Sequence, residues 1–144
     1  AMHRGEPAYD YTKVYQLEKV RSWLDRGGDI NATSFSKQGH TLLMMGCIEN
    51  NAKLVAELCQ RGADVNLKAG GKTALMHASV WGQPECAQLL LDAGADVRLR
   101  ADVDDSDYTE NDGLTALEMV EREIERNGMR PRHRRVLNML SDGR

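Results

Sequence analysis

Arg61-Gly62-Ala63-Asp64-Val65-Asn66 returns 32 residues later as Ala93-Gly94-Ala95-Asp96-Val97-Arg98, and each copy trails an apolar, helix-like run. A third copy, Arg26-Gly27-Gly28-Asp29-Ile30-Asn31, lies upstream. Self-similarity at a fixed period marks units that cannot bury their apolar faces alone and must stack on their neighbours. The chain therefore reads as a row of short units, with stability shared along the row.

A second segment recurs at the same interval. Gly39-His40-Thr41-Leu42-Leu43-Met44 is matched by Gly71-Lys72-Thr73-Ala74-Leu75-Met76, and later by Gly113-Leu114-Thr115-Ala116-Leu117-Glu118. Thr41, Thr73 and Thr115 each stand where a side-chain oxygen can cap a helix N-terminus, with a glycine two residues earlier to ease the turn. Gly62 and Gly94 follow the last turn of a helix, the usual place for a positive φ that stops it. Between these signals Leu75, Ala78 and Ser79 share one helical face, and Cys86, Leu89 and Leu90 continue with a period near 3.6.

Taken together these motifs resemble the ankyrin-repeat family over roughly residues 14–141. The resemblance implies an all-α solenoid of about four helix–turn–helix units, two regular and two capping, joined by β-turn or hairpin loops. Where that family has the Pro and His of a Thr-Pro-Leu-His start, this chain has Leu42, Ala74 and Ala116, then Met44, Met76 and Glu118. No imidazole stands at that place. Residues 1–9 are expected to be a flexible tail and 10–144 a single domain, with units at about 10–38, 39–70, 71–100 and 112–141. In the first, Leu17, Val20 and Leu24 should turn inward while Glu18, Lys19, Arg21 and Asp25 face water. In the last, a lengthened helix from Leu114 to Arg126 is expected to break at Asn127-Gly128 and Pro131, before a closing helix from His133 to Leu140.

Composition narrows the function classes. The 144 residues are 41% hydrophobic and 28% charged, as in one soluble globular domain, and 5% aromatic, which suits thin helical layers. A formal charge of −3 argues against a phosphate-reading module, which normally has a basic excess. No apolar run nears the roughly 20 residues of a membrane span. No apolar core follows Ala1-Met2-His3-Arg4-Gly5-Glu6, as a signal peptide would require. Cys47, Cys59 and Cys86 form an odd set without paired spacing, read as free thiols in a reducing compartment, hence an intracellular protein, cytoplasmic or nuclear. A metal site would need a second ligand at short spacing, so no metal and no cofactor is expected. His3, His40, His77 and His133 stand without a nucleophile or carboxylate at meaningful spacing, and no phosphate loop or nucleophile elbow is present. No catalytic residue is assigned.

Between Arg100 and Gly113 about ten extra residues interrupt the period: the Thr73-to-Thr115 spacing is 42. This insert, 101–112, carries Asp102, Asp104, Asp105, Asp107, Glu110 and Asp112 with no Lys or Arg, and Tyr108 as its one large side chain. Three readings stand: an ion site for a regulator or enzyme, which lacks the glycine and final glutamate of a helix-loop-helix calcium loop; a recognition finger for a basic partner; or a solvated loop. Arg130, Arg132, Arg134 and Arg135 similarly read as a phosphate or nucleic-acid contact or as a solvated cap, with Glu121, Glu123 and Glu125 nearby to offset them.

What the resemblance implies about function is a non-enzymatic module, monomeric by itself, that binds another protein or peptide on a concave surface of turn tips and inner helices. The matching positions are Phe35, Ser36, Lys37, Gln38 and His40 in one turn and Met45, Ile48 and Glu49 on its helix. The next unit supplies Lys68, Lys72, His77, Val80 and Trp81, the last Leu114, Met119 and Arg122, and the insert Tyr108. Phe35 and Trp81 attract most attention, because aromatic side chains dominate interface energies. Alternatively, Phe35 folds back over its turn and Trp81 leans on the adjacent unit. Asn66 is similar in setting to asparagines that asparaginyl hydroxylases modify in this family, although an Asn there also ties the turn through hydrogen bonds.

Overall fold

The computed structural model describes residues 17–34, 39–103 and 110–142. Seven helices run through them: α1 (Leu17–Asp25), α2 (Leu42–Ile48), α3 (Ala52–Gln60), α4 (Ala74–Val80), α5 (Pro84–Asp92), α6 (Ala116–Asn127) and α7 (Pro131–Asp142). No strand occurs among the described residues; three isolated antiparallel bridges, Thr33 to Thr41, Ala69 to Lys72 and Arg100 to Thr115, close the loops that join the units. The inner helices α2, α4 and α6 pack side by side, as do the outer helices α3, α5 and α7, and each inner helix packs on its own outer one.

Each inner helix starts for the reason its sequence states. The Thr41, Thr73 and Thr115 hydroxyls accept from the backbone N–H of Met44, Met76 and Glu118 at 3.2–3.3 Å. At Thr115 the Glu118 carboxylate reaches back to the Thr115 N–H at 3.0 Å, a complete capping box. That N–H, assisted by Arg100, holds the Glu118 carboxyl below the usual range. The outer helices α3 and α5 end where Gly62 (φ 86°) and Gly94 (φ 98°) take positive φ.

Helix length is decided by one register position. The residue after the C-cap of α2 is Asn50, at φ 57°, and after that of α4 is Gly82, at φ 64°. Both tolerate the left-handed turn that swings the chain into the outer helix. The equivalent of Gly82, 42 residues on, is Ile124, whose branched side chain resists that conformation, so α6 runs on to the positive-φ Gly128. Pro131 acts differently from expectation: it does not merely break α6 but opens α7, two residues before the expected start, since a proline fits the first helical position.

The core is continuous along the row. Leu42, Met44, Leu54, Leu58, Leu75, Met76, Leu90, Met119 and Leu140 are at most 1% exposed. At the N-terminal end Val20 is buried while Leu17 and Leu24 pack against this core, and Gly28 is a glycine because the Trp23 ring covers it, within 2.4 Å of where a Cβ would stand. An ion-pair network joins α1 to α3: Arg21 to Glu57 at 2.8 Å, Arg61 to Glu57 at 2.8 Å and Arg61 to Asp25 at 2.9 Å. The two guanidiniums, Arg21 first, hold the Glu57 carboxyl below its ordinary pKa.

Along the edge a second ladder ties the loops. The Asn31 carboxamide oxygen accepts from the Asp64 N–H at 2.8 Å, and that of Asn66 accepts from the Asp96 N–H at 2.7 Å while its amide donates to the Gly94 carbonyl at 3.3 Å. Arg98 stands at the next equivalent position and turns its guanidinium to Asp96 instead, at 3.1 Å. Asn66→Ala should cost about 1–2 kcal/mol for these bonds, read as a lower urea midpoint without a change in helical content.

Candidate functional site

The open face of the stack is built by α2, α4, α6 and the bridged loops before them. Its floor is set by residues four places beyond each cap, Met45, His77 and Met119. Met45 (9% exposed) and Met119 (1%) belong to the core, and do not offer the contact surface expected of them. Neighbouring inner helices lie so close that this position fills the seam between units. His77, mostly buried, meets His40 of the preceding loop edge-to-face, with ring centroids 4.9 Å apart. Burial lowers both imidazole pKa values, His77 to about 3, with His40 and Lys72 adding repulsion. The buried Nε2 of His77 has no partner among the described residues.

Above that floor the next two register positions are more open. Ile48 and Val80 are half-buried and pack on the core, while Arg122 is exposed. Glu49 and Trp81 are exposed, Trp81 by 55%. At the loop end Lys72 is half-buried, and Lys68 is exposed and paired with Asp102 at 2.9 Å. Leu114 belongs to the loop framework: its carbonyl accepts from the Ala101 N–H at 2.9 Å. Phe35, Ser36, Lys37, Gln38 and Tyr108 lie outside the described residues, as do Asp104, Asp105 and Asp107.

The described ends of the acidic insert face protein cations, Asp102 toward Lys68 and Glu110 toward Arg126. Among the described residues no three His, Cys, Asp or Glu side chains converge as metal ligands. Cys47 and Cys86 are buried, Cys59 is half-buried, and all three are free thiols. The hydrogen bond with Cys86, together with burial, pushes the Cys47 thiol well up, away from the reactive thiolate.

The arginine cluster is partly committed to the fold. Arg132 donates to the Gly82 carbonyl at 3.0 Å and to the Gln83 side chain at 2.9 Å, and both Arg132 and Arg135 reach Glu85. His133, expected only as a helix start, is buried, and its Nε2 donates to the Val80 carbonyl at 2.9 Å. These contacts fasten α7 to the turn that carries Trp81. Only Arg130 and Arg134 of the cluster are exposed without an ion pair among the described residues. Between the loop after α5 and the last unit a shallow groove of about 420 Å³ is lined by Val97, Leu117 and Leu140, with Arg100 and Glu118 paired at its edge beside Arg98 and Glu121.

Three copies of the ankyrin repeat are matched over residues 11–101. The chain belongs to the ankyrin-repeat family, and its last unit, beyond the insert, lies outside the matched span. Among curated proteins it is 34% identical over 104 residues to a probable E3 ubiquitin-protein ligase, XBOS31, of Oryza sativa subsp. japonica, covering 66% of this chain and 23% of that protein. It is 30% identical over 116 residues to the E3 ubiquitin-protein ligase Ufd4 of Drosophila melanogaster (81% and 4%). With protein phosphatase 1 regulatory subunit 12A of Mus musculus it shares 34% over 77 residues (53% and 7%). The chain thus spans less than a quarter of the length of each of these relatives.

Two predictions test this geometry. An unfolded histidine titrates near 6.5 and folded His77 near 3, so between those values only the unfolded chain takes up the proton. The stability that neutral His77 contributes is present above about pH 6.5 and lost as pH falls, with a slope of at most about 1.4 kcal/mol per pH unit. His77→Met, which copies Met45 and Met119, should flatten that slope in urea titrations at pH 4–7. Gly82→Ala should destabilise by about 2 kcal/mol or more, because the new Cβ would lie 2.6 Å from the His133 ring at a φ of 64°; thermal melts read it directly.

Proposed function

We propose that this chain is a non-enzymatic recognition module that binds another protein or a peptide on the open face of α2, α4 and α6 and the loop tips before them. The observation that carries the reading is Trp81: a large aromatic side chain, 55% exposed, on a turn held by Arg132 and His133. A fold pays to leave an indole in water, whereas an interface gains from burying one that is already rigid. Membership of the ankyrin-repeat family supports the same class of function, as does likeness to a protein whose name is that of a phosphatase regulatory subunit. The ligase activity named for two relatives is not carried across, since the matched segments are 23% and 4% of those proteins.

The contact surface consists of Trp81, Val80, Ile48, Glu49 and Arg122 on the helices and His40, Lys68 and Lys72 at the loops, with Met45 and Met119 withdrawn into the core. Phe35, Lys37 and Tyr108 remain part of the proposal on the sequence reading alone. No helix of the described residues is long and apolar enough to cross a membrane.

Trp81→Ala should leave the melting midpoint within about 2 °C of the parent and weaken the partner by roughly tenfold or more, measured by calorimetry with a partner purified by affinity capture. Unchanged affinity in a folded Trp81→Ala variant would refute the surface.

A further inference from the structure

The residues eight places beyond the three inner-helix caps are Glu49, Trp81 and Glu123. At the first two the backbone is nearly identical, φ −86°, ψ 1° and φ −83°, ψ −5°, so their Cβ bonds leave the helices in the same sense. At Glu123 α6 continues in helical conformation. Since α2 packs on α4 and α4 on α6, the three form one row, with about 8–10 Å between neighbouring axes. By register, the position of the exposed indole therefore falls between those of two glutamates, one place beyond Ile48 and Val80 on their helices.

Glu123 differs from the other half-buried glutamates of the stack, while Glu49 is one of several exposed acids, Glu121 and Glu125 among them, with no cation against it among the described residues. Half-buried Glu57 is bound by Arg21 and Arg61, and half-buried Glu118 by Arg100. More exposed carboxylates pair as well, Glu85 with Arg132 and Arg135, and Asp102 with Lys68. Glu123 is half-buried, yet it accepts from the neutral Asn127 amide at 2.6 Å and has no cation against it among the described residues, nor has Glu49. Partial desolvation raises the Glu49 pKa, as it does for an acid that lacks a counter-charge. A guanidinium or ammonium group over the indole would supply that charge, and tryptophan is the side chain on which cations stack best.

We propose that this row takes a basic linear segment of the partner, with an arginine or lysine head lying on Trp81 between Glu49 and Glu123 and its aliphatic stem on Val80 and Ile48. Arg122, in the adjacent register position of α6, repels that segment and disfavours cations placed off the indole. The inference rests on the open-face reading above and adds the chemistry of what the face receives.

Blocked peptides alternating Gly with Arg, with Glu or with Leu, at equal length, test it by calorimetry on the full chain at low and physiological salt. The Arg peptide should bind tightest. Trp81→Ala should weaken it by about tenfold, Glu49→Gln and Glu123→Gln by about two- to fivefold each, and Arg122→Gln should strengthen it. Trp81→Phe, which keeps an aromatic face, should restore part of the loss. Tighter, Trp81-dependent binding of the Leu or Glu peptide would overturn the basic-segment chemistry and leave the open face standing as the docking surface. Arg-peptide binding that is indifferent to Trp81 and both glutamates would overturn the proposal by placing the contact elsewhere, such as the acidic insert. Absence of binding by all three peptides also overturns it, while retained Trp81-dependence with a captured protein partner would show that the open-face reading survives.

Discussion

Lateral burial between units is the constraint from which the rest of this structure follows. A helix of seven residues such as α2 or α4 is too short to hold itself in water and gains its stability from packing an apolar face. Here every such face is covered by the adjoining unit, so the core runs through Val20, Leu54, Leu75, Leu90 and Leu140 as a strip instead of closing on itself. A strip has an open side. Within α2 and α4 every residue is buried or half-buried, so on that flank the exposed side chains are Glu49 and Trp81 at the helix ends and Arg122 on α6.

Polar contacts then determine how firmly that flank is presented. The Asn31 and Asn66 carboxamides lock successive loops in register, and the Arg21–Glu57–Arg61 network joins the first described helix to the stack. On the opposite side α7 grips the α4–α5 turn through Arg132 and His133, so the exposed Trp81 sits on a braced turn. Bracing of this kind lowers the ordering entropy lost when a partner docks. The cost is local intolerance: Gly82 has no room for a side chain because the imidazole of His133 occupies it.

Much of this was legible in the chain. The period, the capping threonines, the helix-stopping glycines and the insert at 101–112 all appear as residue types at fixed offsets, because caps and turns are local chemistry. Exposure of Trp81 could also be anticipated, since it precedes a turn glycine where no core layer continues. Burial of Met45 and Met119 was harder to read. A position on an inner helix can face either the flank or the seam, and the choice depends on how closely the next helix approaches. His133 carried only the signal of an imidazole near a proline-led helix start, although its ring proves to be part of the core.

From sequence alone, then, came the kind of architecture and the residues that cap its inner helices and stop its outer ones, which follow from periodicity and backbone preference acting over a few residues. Tertiary packing decided which side chains line the open face and which cations are already taken. Arg132 and Arg135 turn to Glu85, Lys68 to Asp102 and Arg100 to Glu118, whereas Glu49 and Glu123 are left without a protein cation among the described residues. Charge pairing joins residues as many as 50 positions apart, a separation at which no local pattern can say which partner a side chain will meet.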